Sequence, residues 1–506
     1  MIVIILSILF FSALLLSSLF PTLTDRRRPP LPPGPKGWPL VGNLLQLGTK
    51  VHQTLQHLSN SHGSSGLLRL RLGTVDVIVI SSASAAAKCF RSHDAKLSSR
   101  PPNSLGRHFA YNFQDLIMAP YGPRWRMLRK ICATHLFSTK VLDSFQHVRE
   151  DELATLVRDL ASDRDAVIDV GAVVNSCATN ALARVLVGRR VIVGGEEAAK
   201  FKEIAAEISK VAGEFNVGDF VPWIDWLDLQ GLNKKMRRIR ERFGEFLDKV
   251  IEEHRLQRVN HTKDFLSVLI EMNGSAEGEQ DEIIDINIKA LLQDMFIAGT
   301  ETVSITAEWV LAELIRHPHI LARAQHELDS VVGRDRFICE SDLSKFPFLH
   351  AIVKETLRLH PPLPLSLPRM TVEDFEIDGY LIPKGVTVLI NVWAIGRDSA
   401  SWPDDPCKFN PDRFGSSSLH ANVDAKGNDF ELIPFGIGRR MCAGINLGLR
   451  MLHLITAILL HSFDWTMPDG YMAEKLDMEE SYGVSMPKVK PLMAKAMPRL
   501  APNTYL

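Results

Sequence analysis

The sequence predicts a mainly α-helical protein with small β-sheets, preceded by an N-terminal transmembrane helix, and three stretches carry that expectation. From Asp285 to Arg316 apolar residues recur at helical spacing for long enough to cross a whole domain. Leu67-Leu68-Arg69-Leu70-Arg71-Leu72 and Val75-Asp76-Val77-Ile78-Val79-Ile80 alternate around a Gly73-Thr74 break, the pattern of a hairpin in a small sheet. Met1 to Phe20 is almost wholly apolar with no charged side chain, and as a helix it reaches about 30 Å, the thickness of a hydrocarbon core.

Composition narrows the function. Apolar residues at 46% and charged residues at 23% describe a globular chain with a large core. With 58 basic and 59 acidic residues the net charge is −1, so no global field favours nucleic acid. The six cysteines, Cys89, Cys132, Cys177, Cys339, Cys407 and Cys442, lack paired spacing, which argues against a disulfide framework and for a reducing compartment.

In chain order, Met1–Phe20 is a membrane span or a signal peptide. A cleaved signal wants basic residues before the apolar run, whereas Arg26-Arg27-Arg28 follow it, so an uncleaved single-pass anchor is expected, with everything after Asp25 in the cytosol. The expected organisation is an anchor over 1–25, a basic and proline-rich hinge over 26–39, and a catalytic domain over 40–506. Prolines between Pro29 and Pro35 forbid helix and give a stiff extended connection. Arg100 to Gly122 is a long loop, and loops of that length usually carry function. Trp125 and Arg129 stand one helical turn apart and can aim polar hydrogens at a single anionic group. Val141 to Arg255 is helical by pattern, broken at Gly213 to Trp223 by a stretch both flexible and apolar, which reads as a roof dipping into the bilayer or as a buried helix connection.

The long helix then breaks its own rule. Ala298-Gly299-Thr300-Glu301-Thr302 puts a glycine, two threonines and a carboxylate into an apolar run, and glycine alone costs about 1 kcal/mol there. Such breaks often mark function, here a widened turn where Thr302 donates a hydrogen bond to O2 and Glu301 relays protons. Glu355 and Arg358 stand at i and i+3, a pair worth only tenths of a kcal/mol if exposed. Prolines from Pro361 to Pro368 force the chain out of helix. Finally Pro434 to Gly444 is a Gly-rich loop delivering Cys442 just before an apolar helix that begins near Ile445. A thiolate there is a soft ligand for iron, Gly436 and Gly438 let backbone approach a flat ring, and Arg440 offers a cation for a ring carboxylate.

Phe435, Gly438, Arg440, Cys442 and Gly444 resemble, position for position, the haem-binding loop of the cytochrome P-450 family. The Trp-x-x-x-Arg pair, Ala298 to Thr302, Glu355-Thr356-Leu357-Arg358 and Pro411-Asp412-Arg413-Phe414 resemble further motifs of that family, so the resemblance runs from anchor to tail. Val303 stands where a second hydroxyl is usual. The resemblance implies the cytochrome P-450 fold and haem b with Cys442 as axial ligand. Haem carboxylates would be bound by Trp125, Arg129, Arg440 and Arg369, with Phe435 and Gly436 in the haem loop. A substrate pocket would be lined by Phe109, Tyr111, Phe113, Ile117, Ala298, Leu363, Leu365 and Ser485, and Glu355, Arg358 and Arg413 would form a buried structural network. It implies O2 as co-substrate, electrons from NADPH through a cytochrome reductase, and residence in the endoplasmic reticulum membrane in contact with lipid.

Several stretches are similar to one branch of the family, the plant flavonoid B-ring hydroxylases, among them Ser99-Arg100-Pro101-Pro102-Asn103-Ser104, Phe215-Asn216-Val217-Gly218-Asp219-Phe220 and Val423-Asp424-Ala425-Lys426-Gly427-Asn428. The branch implies hydroxylation of a lipophilic phenolic substrate at the 3' carbon. The alternative is a 3',5'-hydroxylase, or a monooxygenase of another plant phenolic or lipophilic metabolite. Two departures keep that choice open: Ser416-Ser417-Ser418 replaces a Gly-Gly-Glu-Lys segment, and Ser485 stands where 3'-hydroxylases usually carry Thr. A haem protein that does not oxidise would be favoured by the absence of Glu301 and Thr302, which are present, and a haem-free structural protein is disfavoured by Cys442.

Overall fold

The computed structural model describes residues 29–163, 165–256, 264–273 and 283–505, and the expected anchor lies outside them. The hairpin of β1 (Leu67–Leu72) and β2 (Val75–Ile80) pairs Leu67 with Ile80 and Leu72 with Val75, so the two-residue Gly73-Thr74 turn closes it, with Gly73 at φ +60°. A four-stranded sheet in the order β1-β2-β7-β4 grows from it, β4 being Arg369–Met370 and β7 Thr387–Ile390. Two smaller sheets join β3 (Ile168–Asp169), β9 (Met493–Pro498) and β8 (Phe463–Thr466), and β5 (Phe375–Ile377) with β6 (Tyr380–Ile382).

Helices make up the rest. The ones that build the site are α1 (Pro123–His135), α2 (Gln146–Ser162), α3 (Val170–Val187), α4 (Gly195–Gly213), α5 (Leu232–Leu256), α6 (Asp285–Arg316), α7 (Pro318–Val332), α8 (Pro347–Leu359) and α9 (Ile445–Ser462). The bounds of α6 and the start of α9 fall where the sequence pattern put them. α6 is the spine: its first half joins an apolar core with α1, α4 and α5, and its second half joins another with α2, α3, α7, α8 and α9. Leu291, Leu292 and Leu314 on it are 0% exposed, so truncating any one to Ala costs about 2–5 kcal/mol. α3 and α9 are long and apolar enough to cross a membrane, yet 67% and 72% of their apolar windows are buried inside the protein, which makes them core helices.

Two sequence expectations change here. The proline-rich segment is extended but not a free connection: Leu381 N–H donates to Pro30 O at 2.8 Å and Arg69 N–H to Pro33 O at 2.9 Å, so it is stitched to the sheets. And α6 runs unbroken through Ala298 to Thr302 with no widened turn, because the threonines satisfy backbone carbonyls instead of displacing them, Thr300 bonding Phe296 O and Thr302 bonding Ala298 O, both at 2.9 Å. All six cysteines are free, as their spacing implied.

Candidate haem-thiolate site

Cys442 is held by backbone on both sides. Its N–H donates to Phe435 O at 2.9 Å, closing a turn in which Gly436 and Gly438 take φ of +73° and +64°. A Cβ on Gly438 would sit 2.0 Å from Asp94 Oδ1, so that turn tolerates no side chain. Gly444 N–H donates toward the Cys442 sulfur, and α9 starts at the next residue, so the sulfur stands at a helix N-terminus. Burial pushes the thiol above its ordinary range, and Arg129 and the Gly444 N–H pull it down. Yet Cys442 exposes surface. A side chain both desolvated and accessible faces an internal space.

α6 flanks that core as well. Its buried run from Ala290 to Phe296 resumes at Thr300, and between them Ala298 and Gly299 are exposed, with Thr302 half-buried. Gly299 is needed for packing, since a Cβ there would lie 2.7 Å from Leu182 Cδ2.

Beside the cysteine loop lies an excess of buried positive charge. Arg440 donates to Ser98 O and Ala119 O, both at 2.6 Å, and its guanidinium stacks 4.5 Å over the Trp125 ring. Arg369 donates to Ile437 O at 2.6 Å, with Asp94 4.0 Å away. Arg100 donates to Leu367 O and Pro368 O. One nitrogen each of Arg369 and Arg440, Nη1 in both, is buried with no partner. Burial and the repulsion of neighbouring arginines push both down to about 9. Asp115 and Asp94 lie nearby, yet neither bonds these two nitrogens, which leaves room for an acid from outside.

Glu301 is turned away from this space. Ser209 on α4 donates to its Oε2 at 3.0 Å and Ser485 also bonds it, and burial raises its carboxyl despite both hydroxyls. It lines a cavity of about 530 Å³ between α3, α4, α6 and residues 487–491, together with Asn175, Ser304, Glu308 and Lys488. Cys442 is not among its walls, so this cavity is a recess behind α6, mainly apolar with a few polar groups, and distinct from the space the sulfur faces.

The sequence matches the family described as Cytochrome P450 across residues 32–494. The chain belongs to the cytochrome P450 family. A flavonoid 3'-monooxygenase of Crocosmia x crocosmiiflora is 54% identical over 98% of this chain and 99% of its own length. A flavonoid 3'-monooxygenase of Petunia hybrida is 52% identical over 94% of each, and a flavonoid 3',5'-hydroxylase of Crocosmia x crocosmiiflora is 49% identical over 98% of each. A solved zebrafish cytochrome P450 shares the fold, with a TM-score of 0.74 at 24% identity over 88% of this chain and 99% of that one.

The residues fit the haem that this family carries. A dicarboxylate ring matches the two unpartnered guanidinium nitrogens of Arg369 and Arg440, and an accessible, helix-capped sulfur matches an axial thiolate. Trp125 and Arg129 share one side of α1, Trp125 under Arg440 and Arg129 within electrostatic reach of Cys442. Glu355, Arg358 and Arg413 come together as a buried ion network: Arg358 meets Glu355 at 2.7 Å with both side chains 0% exposed, and Arg413 Nε lies 3.4 Å from Glu355.

The residues expected around substrate separate by element. Phe109 is buried within the 105–118 loop, and Ile117 is half-buried beside α6. Three consecutive left-handed residues, Tyr111, Asn112 and Phe113 at φ +48° to +63°, turn the loop sharply. They fold Phe113 back onto Gly106, and they lay the Tyr111 ring under Arg240 of α5, 5.8 Å away, with its hydroxyl buried. Leu363 is half-buried, whereas Leu365 packs into the core of the β1–β2 sheet. Ser485 is half-buried and spends its hydroxyl on Glu301. Sequence reasoning missed the anchors of this loop: Asn287 donates to Gln114 O at 3.1 Å, Gln293 to Phe109 O at 3.3 Å, and Asp294 accepts from Leu116 N–H at 2.7 Å. The signal was available, since 287, 293 and 294 are, with Lys289, the polar positions in a mainly apolar stretch of one helix.

Proposed function

We propose that this cytochrome P450 hydroxylates the B ring of a flavonoid at its 3' carbon, using O2 and electrons that originate in NADPH and arrive through a cytochrome reductase. The observation that carries the substrate is identity of 54% and 52% along nearly whole chains to flavonoid 3'-monooxygenases. Haem bound to the Cys442 thiolate would supply the reductive activation of O2.

The chain's own groups have separable parts. Arg369, Arg440 and Trp125 would seat the haem acids, with Arg129 alongside, and Phe435 and Gly436 shape the loop that brings the sulfur in. Ala298, Gly299 and Thr302 leave an open patch on α6 where a flat ring and O2 can lie close together. Glu301 would move protons from the recess behind α6 toward the Thr302 side, since burial holds its carboxyl nearer to neutrality than an ordinary glutamate. Phe109, Ile117 and Leu363 would contact the substrate.

Exposed apolar side chains support a location at a membrane. Trp223, Trp226 and Leu229 are 65%, 79% and 70% exposed, on the segment joining α4 to α5, and Trp38 and Leu45 near the chain's start are 65% and 76% exposed. This roof would rest in the lipid of the endoplasmic reticulum membrane, with the domain on the cytosolic side.

A second reading, 3',5'-hydroxylation, is favoured by one observation: Ser485 lacks the methyl of threonine, and the bond to Glu301 draws its hydroxyl away from any substrate. Incubating membranes that hold the protein with naringenin, a reductase and NADPH tests both. One added 3' hydroxyl supports the proposal, a further 5' hydroxyl supports the second reading, and no hydroxylated product under full reduction removes the substrate assignment.

A further inference from the structure

Asp294 on α6 and Asp115 in the pocket loop are buried acids, 3% and 1% exposed. Asp294 Oδ2 accepts from Leu116 N–H at 2.7 Å and Ile117 N–H at 3.3 Å, and Asp115 Oδ2 accepts from Met118 N–H at 2.9 Å. Asp294 thus holds the amide that follows Asp115, which brings two buried acids together, and Asp115 Oδ1 has no donor of its own. Carboxylate oxygens in that relation attract only when a proton lies between them.

We infer that Asp294 and Asp115 share one proton and so latch the 105–118 loop onto α6, making closure of the cap over the haem pocket pH-dependent. The surroundings decide which acid holds the proton. Arg100 and Arg440 face Asp115 and favour its charged form, whereas burial and Asp115 itself dominate at Asp294: on α6 the loop is otherwise held by the neutral Asn287 and Gln293, and α1 presents Cys132 with Arg129 beside it. Burial accordingly lifts Asp115 only to about 6 and Asp294 well above the ordinary range.

The sign follows. With the loop closed the pair keeps a proton that it releases to water when the loop opens and both acids recover ordinary values. Closure is therefore strongest at low pH and is lost as pH rises through the closed-state value. Over that window the open fraction grows by up to about tenfold per pH unit.

The test is hydrogen–deuterium exchange of the 105–118 amides in the membrane-bound holoenzyme from about pH 6 to about pH 9, each rate normalised to core amides of α9 to remove intrinsic base catalysis. Native protein should show loop exchange rising with pH beyond the normalised baseline. Asp294→Asn should be flat, because the carboxamide oxygen still accepts from Leu116 and Ile117 while its N–H replaces the shared proton. Infrared spectra at neutral pH should show a protonated-carboxyl band in the native protein that Asp294→Asn lacks. A flat native profile, an unchanged slope in Asp294→Asn, or a native-minus-variant difference spectrum in which no protonated-carboxyl band is lost overturns the latch. If Asp294→Asn does not accumulate, Asp115→Asn serves in its place, since its amide donates to Asp294: loss of the slope supports the latch and an unchanged slope overturns it. The consequence for substrate rests on the flavonoid reading. Native KM for naringenin should rise with pH along with loop exchange, and exchange that rises without KM leaves the latch standing while rejecting the pocket assignment.

Discussion

Arg358 and Arg440 are both buried guanidiniums, and only Arg358 is packed with its own counter-ion. Arg358 meets Glu355 two-fold and spends its remaining donors on Gly396 O, Pro406 O and Lys408 O. Arg440 and its neighbour Arg369 have carbonyl partners, a stacked ring and a spare N–H each, with no buried carboxylate at bonding distance. A closed network of that kind fixes a fold, and an open one marks where an anion from outside must sit.

The largest way to break the comparison is Arg358→Ala. It leaves Glu355 buried with only Arg413 and the Asn410 N–H against it, at about 3–5 kcal/mol, and should abolish accumulation of haem-loaded protein. Normal yield with full haem content would show that the network is dispensable. Next is Glu301, a buried acid with hydroxyl partners where Glu355 has guanidiniums. Glu301→Gln should lower hydroxylation by roughly a hundredfold. It should also flatten the dependence of stability on pH. The raised carboxyl of the native protein gives stability that is present below the ordinary glutamate range and lost as pH rises through its folded value, and the amide has no such loss. Turnover and thermal unfolding across pH read the two effects separately.

Arg440→Leu sharpens the contrast. It should weaken haem retention tenfold or more, the worth of about one charge-assisted hydrogen bond, while the haem-free protein loses less because a repelling cation is gone. Equal destabilisation of haem-loaded and haem-free protein would mean that the open cluster is merely structural. The smallest effect belongs to Ser485→Thr. One added methyl should shift the ratio of 3' to 3',5' products by no more than about tenfold, read by chromatography of the products.

How much of this the sequence shows depends on how far apart the partners lie. Cys442, its glycines and the Glu355–Arg358 pair are legible because each motif closes within a few residues. The span of α6 is legible because its apolar period is long. The Asp294 latch is not, since its partners at 115–117 are joined to it only by folding, and Asp294 is one of five acids along the helix with nothing in its local pattern to single it out. Tyr111 shows the same limit from the other side. Its residue type suits a substrate contact, but three left-handed residues aim its ring under Arg240, and backbone of that kind leaves no periodic trace. The proline segment 29–35 was readable as extended and not as docked, because its bonds go to Arg69 and Leu381.

The sulfur of Cys442 as proximal ligand is what the proposed chemistry depends on. Reduced protein under carbon monoxide should give the intense red-shifted band of thiolate-ligated haem, and Cys442→Ala should lose that band together with all hydroxylation. A native spectrum of nitrogen- or oxygen-ligated haem, or a variant that keeps the thiolate band, would contradict it.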